Sequence, residues 1–292
     1  MRLEENNLMT KNILICGGTG LLGPIAGNVL SGQFSVRIHG KSKKADCQGN
    51  LISYAETEAL LNKEMPDVIL NLVALTNVDT CEEDLQLAYN LNVEIPKNLA
   101  LWCKKNKSLL IQISTDHIYN SAYASEEDVN LVNNYALTKL AGEASVLMVD
   151  GMVLRTNFFG RSQTEGRVSF SDWVLKSLKA REPVNLFKDV FFNPLSMKTL
   201  SELLAVVINS PHPGVYNLGS REGLSKEDFA RTLGDMAGLQ HHFAKSVSFA
   251  DLDLKAARPL DMRMNVEKFE LTFEVTLPTL KSEIEGILTS EI

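Results

Sequence analysis

Tyr135 and Lys139 stand four residues apart in Asn134-Tyr-Ala-Leu-Thr-Lys-Leu-Ala-Gly-Glu143, a spacing that puts both side chains on one helical face. A phenol titrates at about pH 10 and is a poor acid at neutral pH unless its phenolate is stabilised. A lysine one turn away and an oxidised nicotinamide nearby would both stabilise it. The spacing is equally that of an ordinary surface pair, so its surroundings decide. Ile111-Gln-Ile-Ser114-Thr115-Asp116 reads as a strand ending in hydroxyls, at the edge where open α/β sheets bind ligands. A hydroxyl there can hold a carbonyl beside the tyrosine; it can also be a plain turn or cap.

A nicotinamide needs a cradle. Cys16-Gly17-Gly18-Thr19-Gly20-Leu21-Leu22-Gly23 follows an apolar strand and leads into a helix. Gly17 permits the tight turn, Gly20 lets the backbone approach a pyrophosphate, and Gly23 allows close packing of helix on strand. The helix N-terminus offers unpaired N–H groups and a positive partial charge. Where the second strand ends, an NAD enzyme carries an acid for the ribose hydroxyls. Here the segment is Arg37-Ile38-His39-Gly40-Lys41-Ser42-Lys43-Lys44, with no acid and four basic residues, Lys41 among them. That composition favours the 2′-phosphate of NADP(H), although a basic run is also a common solvated loop.

These groups need a sheet to hold them. Strands are expected at Ile13 to Cys16, Ser35 to His39, Val68 to Val73, Leu109 to Ser114 and Met152 to Arg155. Between them fall helices after the glycine turn to about Leu30, at Thr57 to Lys63, Leu85 to Lys105 and Asn134 to Met148. Beyond residue 160 the rhythm loosens into a helix at 168–180, strands at 184–187 and 215–218, and helices ending near Ser210 and Met236. Ser225 caps the last of these, with Glu227 and Asp228 in its first turn. The tail after 240 has less pattern. The expected fold class is α/β, a Rossmann doubly wound parallel sheet with a smaller C-terminal α/β substrate lobe. Residues 1–160 would form the NADP-binding domain, to which later segments can return, and 161–292 the substrate lobe.

The 292 residues carry 29 basic and 36 acidic side chains, a formal charge of −7, which argues against a nucleic-acid partner. Cys16, Cys47, Cys81 and Cys103 are scattered without metal-ligand spacing, so reduced thiols and no metal are expected. No apolar run reaches the roughly 18 residues of a membrane span, and MRLEENNLMT lacks a signal peptide's apolar core, so the cytoplasm is the expected location. The helical patterns at Leu85 to Lys105 and Asn134 to Met148 could pair two copies as a homodimer, or simply pack on the sheet.

Together these residues resemble the short-chain dehydrogenase/reductase superfamily, extended branch. Asn71-Leu-Val-Ala-Leu-Thr76 is similar to that branch's loop along the cofactor, which implies cofactor contacts from Leu72, Val73 and Ala74 and a substrate contact from Thr76. Asn92-Val93 also matches. Ser114-Thr115-Asp116-His117-Ile118-Tyr119, Leu154-Arg155-Thr156-Asn157-Phe158-Phe159-Gly160, Gly214-Val-Tyr-Asn-Leu-Gly219 and Arg258-Pro259 resemble segments of its dTDP-4-dehydrorhamnose reductases.

The resemblance implies that Thr115, Tyr135 and Lys139 are catalytic, with Tyr135 as general acid. Thr115 would hold the carbonyl oxygen, and Lys139 would bind the nicotinamide ribose. Thr19, Gly20, Leu21, Leu22 and Gly23 would line the cofactor, and Asp116 and Phe158 the sugar of a nucleotide-sugar substrate. Related 4,6-dehydratases carry Thr-Asp-Glu; Thr115-Asp116-His117 lacks the glutamate, which favours simple reduction. Ala136, Phe158 and Leu195 depart from the reductases' glycine, tryptophan and threonine, leaving the sugar open. A regulatory NADP-binding subunit similar to the methionine adenosyltransferase β subunit, or a sugar-nucleotide epimerase, is the alternative.

Overall fold

Asn12–Cys16 (β1), Ser35–His39 (β2), Val68–Asn71 (β3), Leu109–Thr115 (β4) and Met152–Thr156 (β5) form one parallel sheet with Gly214–Leu218. The computed structural model describes residues 10–251 and 255–289. From one edge to the other the order is 214–218, β5, β4, β3, β1, β2. β3 and β5 are buried along their whole length, as continuous apolar runs covered on both faces should be. Alternation sends Ile13 and Ile15 into one core and Leu14 and Cys16 into the other.

The helices run Gly23–Leu30 (α1), Tyr54–Glu64 (α2), Val78–Glu83 (α3), Leu85–Tyr89 (α4), Ile95–Asn106 (α5), Asn134–Leu147 (α6), Phe170–Ala180 (α7), Met197–Asn209 (α8) and Lys226–Met236 (α9). Ala26 and Leu30 of α1 meet Leu200, Leu204 and Ile208 of α8 on one face of the sheet. Leu61, Leu99, Trp102 and Val146, from α2, α5 and α6, cover the other. A third core gathers Phe159, Phe192 and Phe229 with residues of α7, α9 and the helix Leu280–Thr289. It is edged by short strand pairs, 185–187 with 245–247 and 191–192 with 224–225. No helix among the described residues is long and apolar enough to cross a membrane.

The expected β2 matches its observed bounds, whereas the third strand stops at Asn71 and not at Val73. The helix expected over 85–105 is interrupted by a π turn at Asn90–Glu94. Pro96 explains it: without an N–H it cannot donate to the Asn92 carbonyl four residues back. That carbonyl lies instead against Gly142 of α6, where a Cβ would overlap the oxygen.

Gly142→Ala is therefore expected to lower stability by about 1–3 kcal/mol through overpacking. The urea midpoint measures it, and an unchanged midpoint would mean that α6 and the π turn separate freely.

Candidate active site

The glycine turn adopts the shape a pyrophosphate needs. Gly17 has φ +78°, with Val73 N only 3.0 Å from where its Cβ would stand. Gly20 N donates to Gly17 O at 3.0 Å. A Cβ on Gly23 would overlap the Gly18 backbone, so helix and strand touch here through glycine alone. No side chain caps α1 at Leu22, Pro24 sits in the first turn, and no acid lies there. The orphan N–H groups thus stay available to an anion. Leu22 itself is buried in the core, Leu21 is half-buried, and the Thr164 hydroxyl donates to Gly20 O at 2.8 Å.

At the end of β2 the Thr19 side chain fills the space beside Gly40. His39 is buried, with Nε2 3.0 Å from Gly49 O, and burial holds its pKa below the ordinary value. Of the four basic residues, Arg37 is engaged: its Nε lies 2.5 Å from the Glu64 carboxylate. Lys41, Lys43 and Lys44 are exposed and in no ion pair among the described residues.

The loop after β3 is held from two sides. Asn71 Nδ2 donates to Gln112 at 2.7 Å and Asn71 Oδ1 accepts from Val73 N at 3.1 Å. Asn92, on the π turn, accepts from Leu75 N at 2.8 Å and donates to the Thr138 hydroxyl at 3.0 Å. Leu72, Val73 and Ala74 are half-buried beside the glycine turn's strand, while Thr76 is exposed.

Thr115 ends β4, and α6 starts at Asn134, capped by the Asn133 side chain on Ala136 N at 2.8 Å. Tyr135 is buried, and burial raises its phenol well above the ordinary pKa. The hydrogen bond from Thr115 pulls the other way, while Asp116 and Cys81 add to the rise. Lys139 is buried too, its Nζ donating to Ile113 O at 2.7 Å. Burial pushes it down to about 8, against the pull of Glu143. Asp116 accepts from Asn157 Nδ2 at 2.7 Å, and burial pushes it up to about 6. His117 meets Tyr135 edge-on, with ring centroids 5.4 Å apart. Burial first, then Lys226 and Arg258, push His117 down to about 3, so it is neutral. Phe158 is half-buried on the short strand that pairs with Leu195.

Two features of this region were not expected from sequence. Beneath Tyr135, Glu143 and Arg155 form a buried ion pair at 2.7 Å, and the Ser114 hydroxyl donates to Glu143. Glu143 belongs to the Tyr135 segment and Arg155 to a matched one, but nothing in their spacing announces a pair. The second is Lys226, the residue after the Ser225 cap, whose charge reaches both Asp116 and His117.

Asp116 holds a proton in the fold at pH values where the unfolded chain, titrating near 3.8, has released it. Its ionisation therefore costs stability as pH rises from about 4 to about 6, and the full cost stands above that window. Asp116→Asn is expected to stabilise the protein by about 1–3 kcal/mol at pH 7.5 and clearly less at pH 4.5. Equal gains at both pH values would refute the buried charge as the cause.

The chain is 26% identical over 287 residues to a probable low-salt glycan biosynthesis reductase, Agl14, of Haloferax volcanii, covering 94% of this chain and 96% of that one. It is 26% identical over 302 residues to dTDP-4-dehydrorhamnose reductase of Salmonella typhimurium, covering 95% and 97%. Among solved structures, dTDP-4-dehydrorhamnose reductase from Bacillus anthracis in complex with NADP superposes with a TM-score of 0.88 at 21% identity, covering 97% and 100%. A further likeness, at 26% identity and a TM-score of 0.83, is to a hypothetical dTDP-4-dehydrorhamnose reductase from Sulfolobus tokodaii, covering 94% and 98%. The model of the RmlD substrate binding domain matches residues 10–291, and with the fold and the Thr115, Tyr135 and Lys139 arrangement in place, the chain belongs to that family.

Proposed function

We propose that this chain is an NADPH-dependent reductase of a nucleotide-activated 4-keto-6-deoxy sugar, with dTDP-4-dehydrorhamnose as the leading substrate. The observation that carries the reading is the buried Tyr135 phenol beside Thr115 at the end of β4, with Lys139 one turn further along α6, its Nζ held by Ile113 O. The names of the full-length relatives support the same reaction class.

The glycine turn fits a dinucleotide: a glycine cradle that a side chain would fill, and an uncapped α1 N-terminus free of acid. Gly17, Thr19, Gly20 and the α1 N-terminus would hold the pyrophosphate. Leu72, Val73 and Ala74 would flank the cofactor, and Lys41 would take a 2′-phosphate. The nicotinamide, when bound, supplies the hydride for the carbonyl carbon.

The chain's own residues manage the oxygen. Thr115 and Tyr135 converge on one carbonyl oxygen, and Tyr135 gives it the proton. Lys139, titrating near 8, is mostly charged at neutral pH. Its ammonium, held by Ile113 O on the same helical face, would bind the nicotinamide ribose. Asp116, fixed by Asn157, and Phe158 border the sugar. His117 is neutral and half-buried beside Tyr135, and no glutamate follows Asp116, so the site lacks a second acid for water elimination. A homodimer through α5 and α6 belongs to the same proposal; Leu101 and Leu137 there are each 48% exposed.

NADPH consumption with a panel of nucleoside-diphosphate 4-keto-6-deoxy sugars tests the reaction. Turnover is expected, and Tyr135→Phe should cut kcat by at least about 100-fold while leaving NADP binding intact. Cofactor binding without turnover on any sugar would overturn the reductase and favour the regulatory subunit. Lys41→Glu should raise the KM for NADPH about 10–100-fold and leave that for NADH nearly unchanged. Equal effects on both cofactors would remove Lys41 from the 2′-phosphate.

A further inference from the structure

Lys226 is the first residue of α9, held there by Ser225, whose side chain caps the helix, and by its own N–H, which donates to Val190 O at 2.8 Å. Its ammonium lies 3.4 Å from the centre of the Phe192 ring and 4.6 Å from that of Phe170. Both rings belong to the third core, so the lysine stem is fixed by rigid neighbours.

The ammonium has no carboxylate within ion-pair distance among the described residues. Other cations of this region do. Arg258 pairs with Asp79 at 3.0 Å, Arg231 with Glu227 at 2.7 Å, and Arg263 with Asp261. The negative group whose charge Lys226 feels is Asp116, but that carboxylate is already engaged by Asn157 at 2.7 Å and Thr115 at 3.3 Å. Two aromatic faces compensate a half-buried ammonium only in part. An ammonium held against two rings, without a counter-charge, is completed by an anionic ligand.

We propose that Lys226 is a specificity-determining residue of this site, receiving anionic oxygens of the substrate, namely the diphosphate of a nucleoside diphosphate. The ammonium is a compact charge with three donors, which suits phosphate oxygens. The charge of Lys226 is felt by both Asp116 and His117, which places it on the side of the site where those two residues stand. Lys226 lies in the lobe outside the glycine turn, so its anion is distinct from the cofactor's pyrophosphate. The inference rests on the sugar-nucleotide reading above and names the group by which that substrate is held.

Calorimetric titration of the NADP-loaded protein tests it without turnover, using dTDP, UDP, thymidine and glucuronate as probes. A nucleoside diphosphate should bind and thymidine should not. Lys226→Gln should weaken diphosphate binding at least about tenfold, Lys226→Arg should restore most of it, and neither should move the affinity for NADP. Unchanged diphosphate binding in Lys226→Gln would overturn the assignment and leave the sugar-nucleotide reading standing. Weaker glucuronate binding with unchanged diphosphate binding would overturn it in favour of a carboxylate. A wild-type protein that binds neither diphosphate would overturn it together with the sugar-nucleotide reading.

Discussion

The buried pair between Glu143 and Arg155 constrains more of this molecule than any other contact. Both side chains are nearly sealed from water, so each charge must be met in full by the protein. Glu143 receives Arg155 through three donor contacts and the Ser114 hydroxyl besides. Arg155 uses its remaining donor on Tyr119 at 2.8 Å and Glu126 O at 2.7 Å. Tyr119 passes the connection to Asn217 at 2.6 Å, and Asn217 N returns it to the Glu126 carboxylate at 2.8 Å. One polar web thus ties α6 to β4, β5 and the strand 214–218. Such a web is worth little as net stability but tolerates few geometries. Tyr135 and Lys139 ride on the helix it pins, so their position relative to Thr115 is set from below.

A second anchoring acts from the side. The π turn at Asn90–Glu94 brings Asn92 to the loop after β3 and to Thr138, on the same helix as Tyr135 and Lys139. One asparagine therefore couples the loop after β3 to the helix carrying Tyr135 and Lys139. Close approach is possible only because Gly142 offers no side chain. π turns cost helical hydrogen-bond geometry and are found where function needs a backbone shift.

The shape of the glycine turn and the shared helical face were legible because their physics is local. Gly17, Gly20 and Gly23 are dictated by backbone shape over a few residues, and the spacing of Tyr135 and Lys139 by one helical turn. β2 was readable because Ser35-Val-Arg-Ile-His39 alternates polar and apolar residues over strand length. Long-range electrostatics was not legible. Arg37 looked like part of a basic cluster, yet Glu64, distant in sequence, neutralises it. Lys226 gave no signal, because nothing near it in the chain reveals Phe170, Phe192 or Asp116. The π turn had a signal in Pro96, inside an otherwise helical pattern, but a proline in the first turn of a new helix reads the same way.

The strand Gly214–Leu218 lies beside β5 in the sheet, although the chain visits the third core between them. During synthesis, β5 leaves the ribosome well before its neighbour. Until then it presents an edge with open backbone groups, the kind of edge that recruits other strands. Arg155 sits on that edge, and the Asn217 that completes its web through Tyr119 arrives with the late strand. Closure of the sheet is therefore a late event of high contact order, during which the nascent protein is most exposed to aggregation.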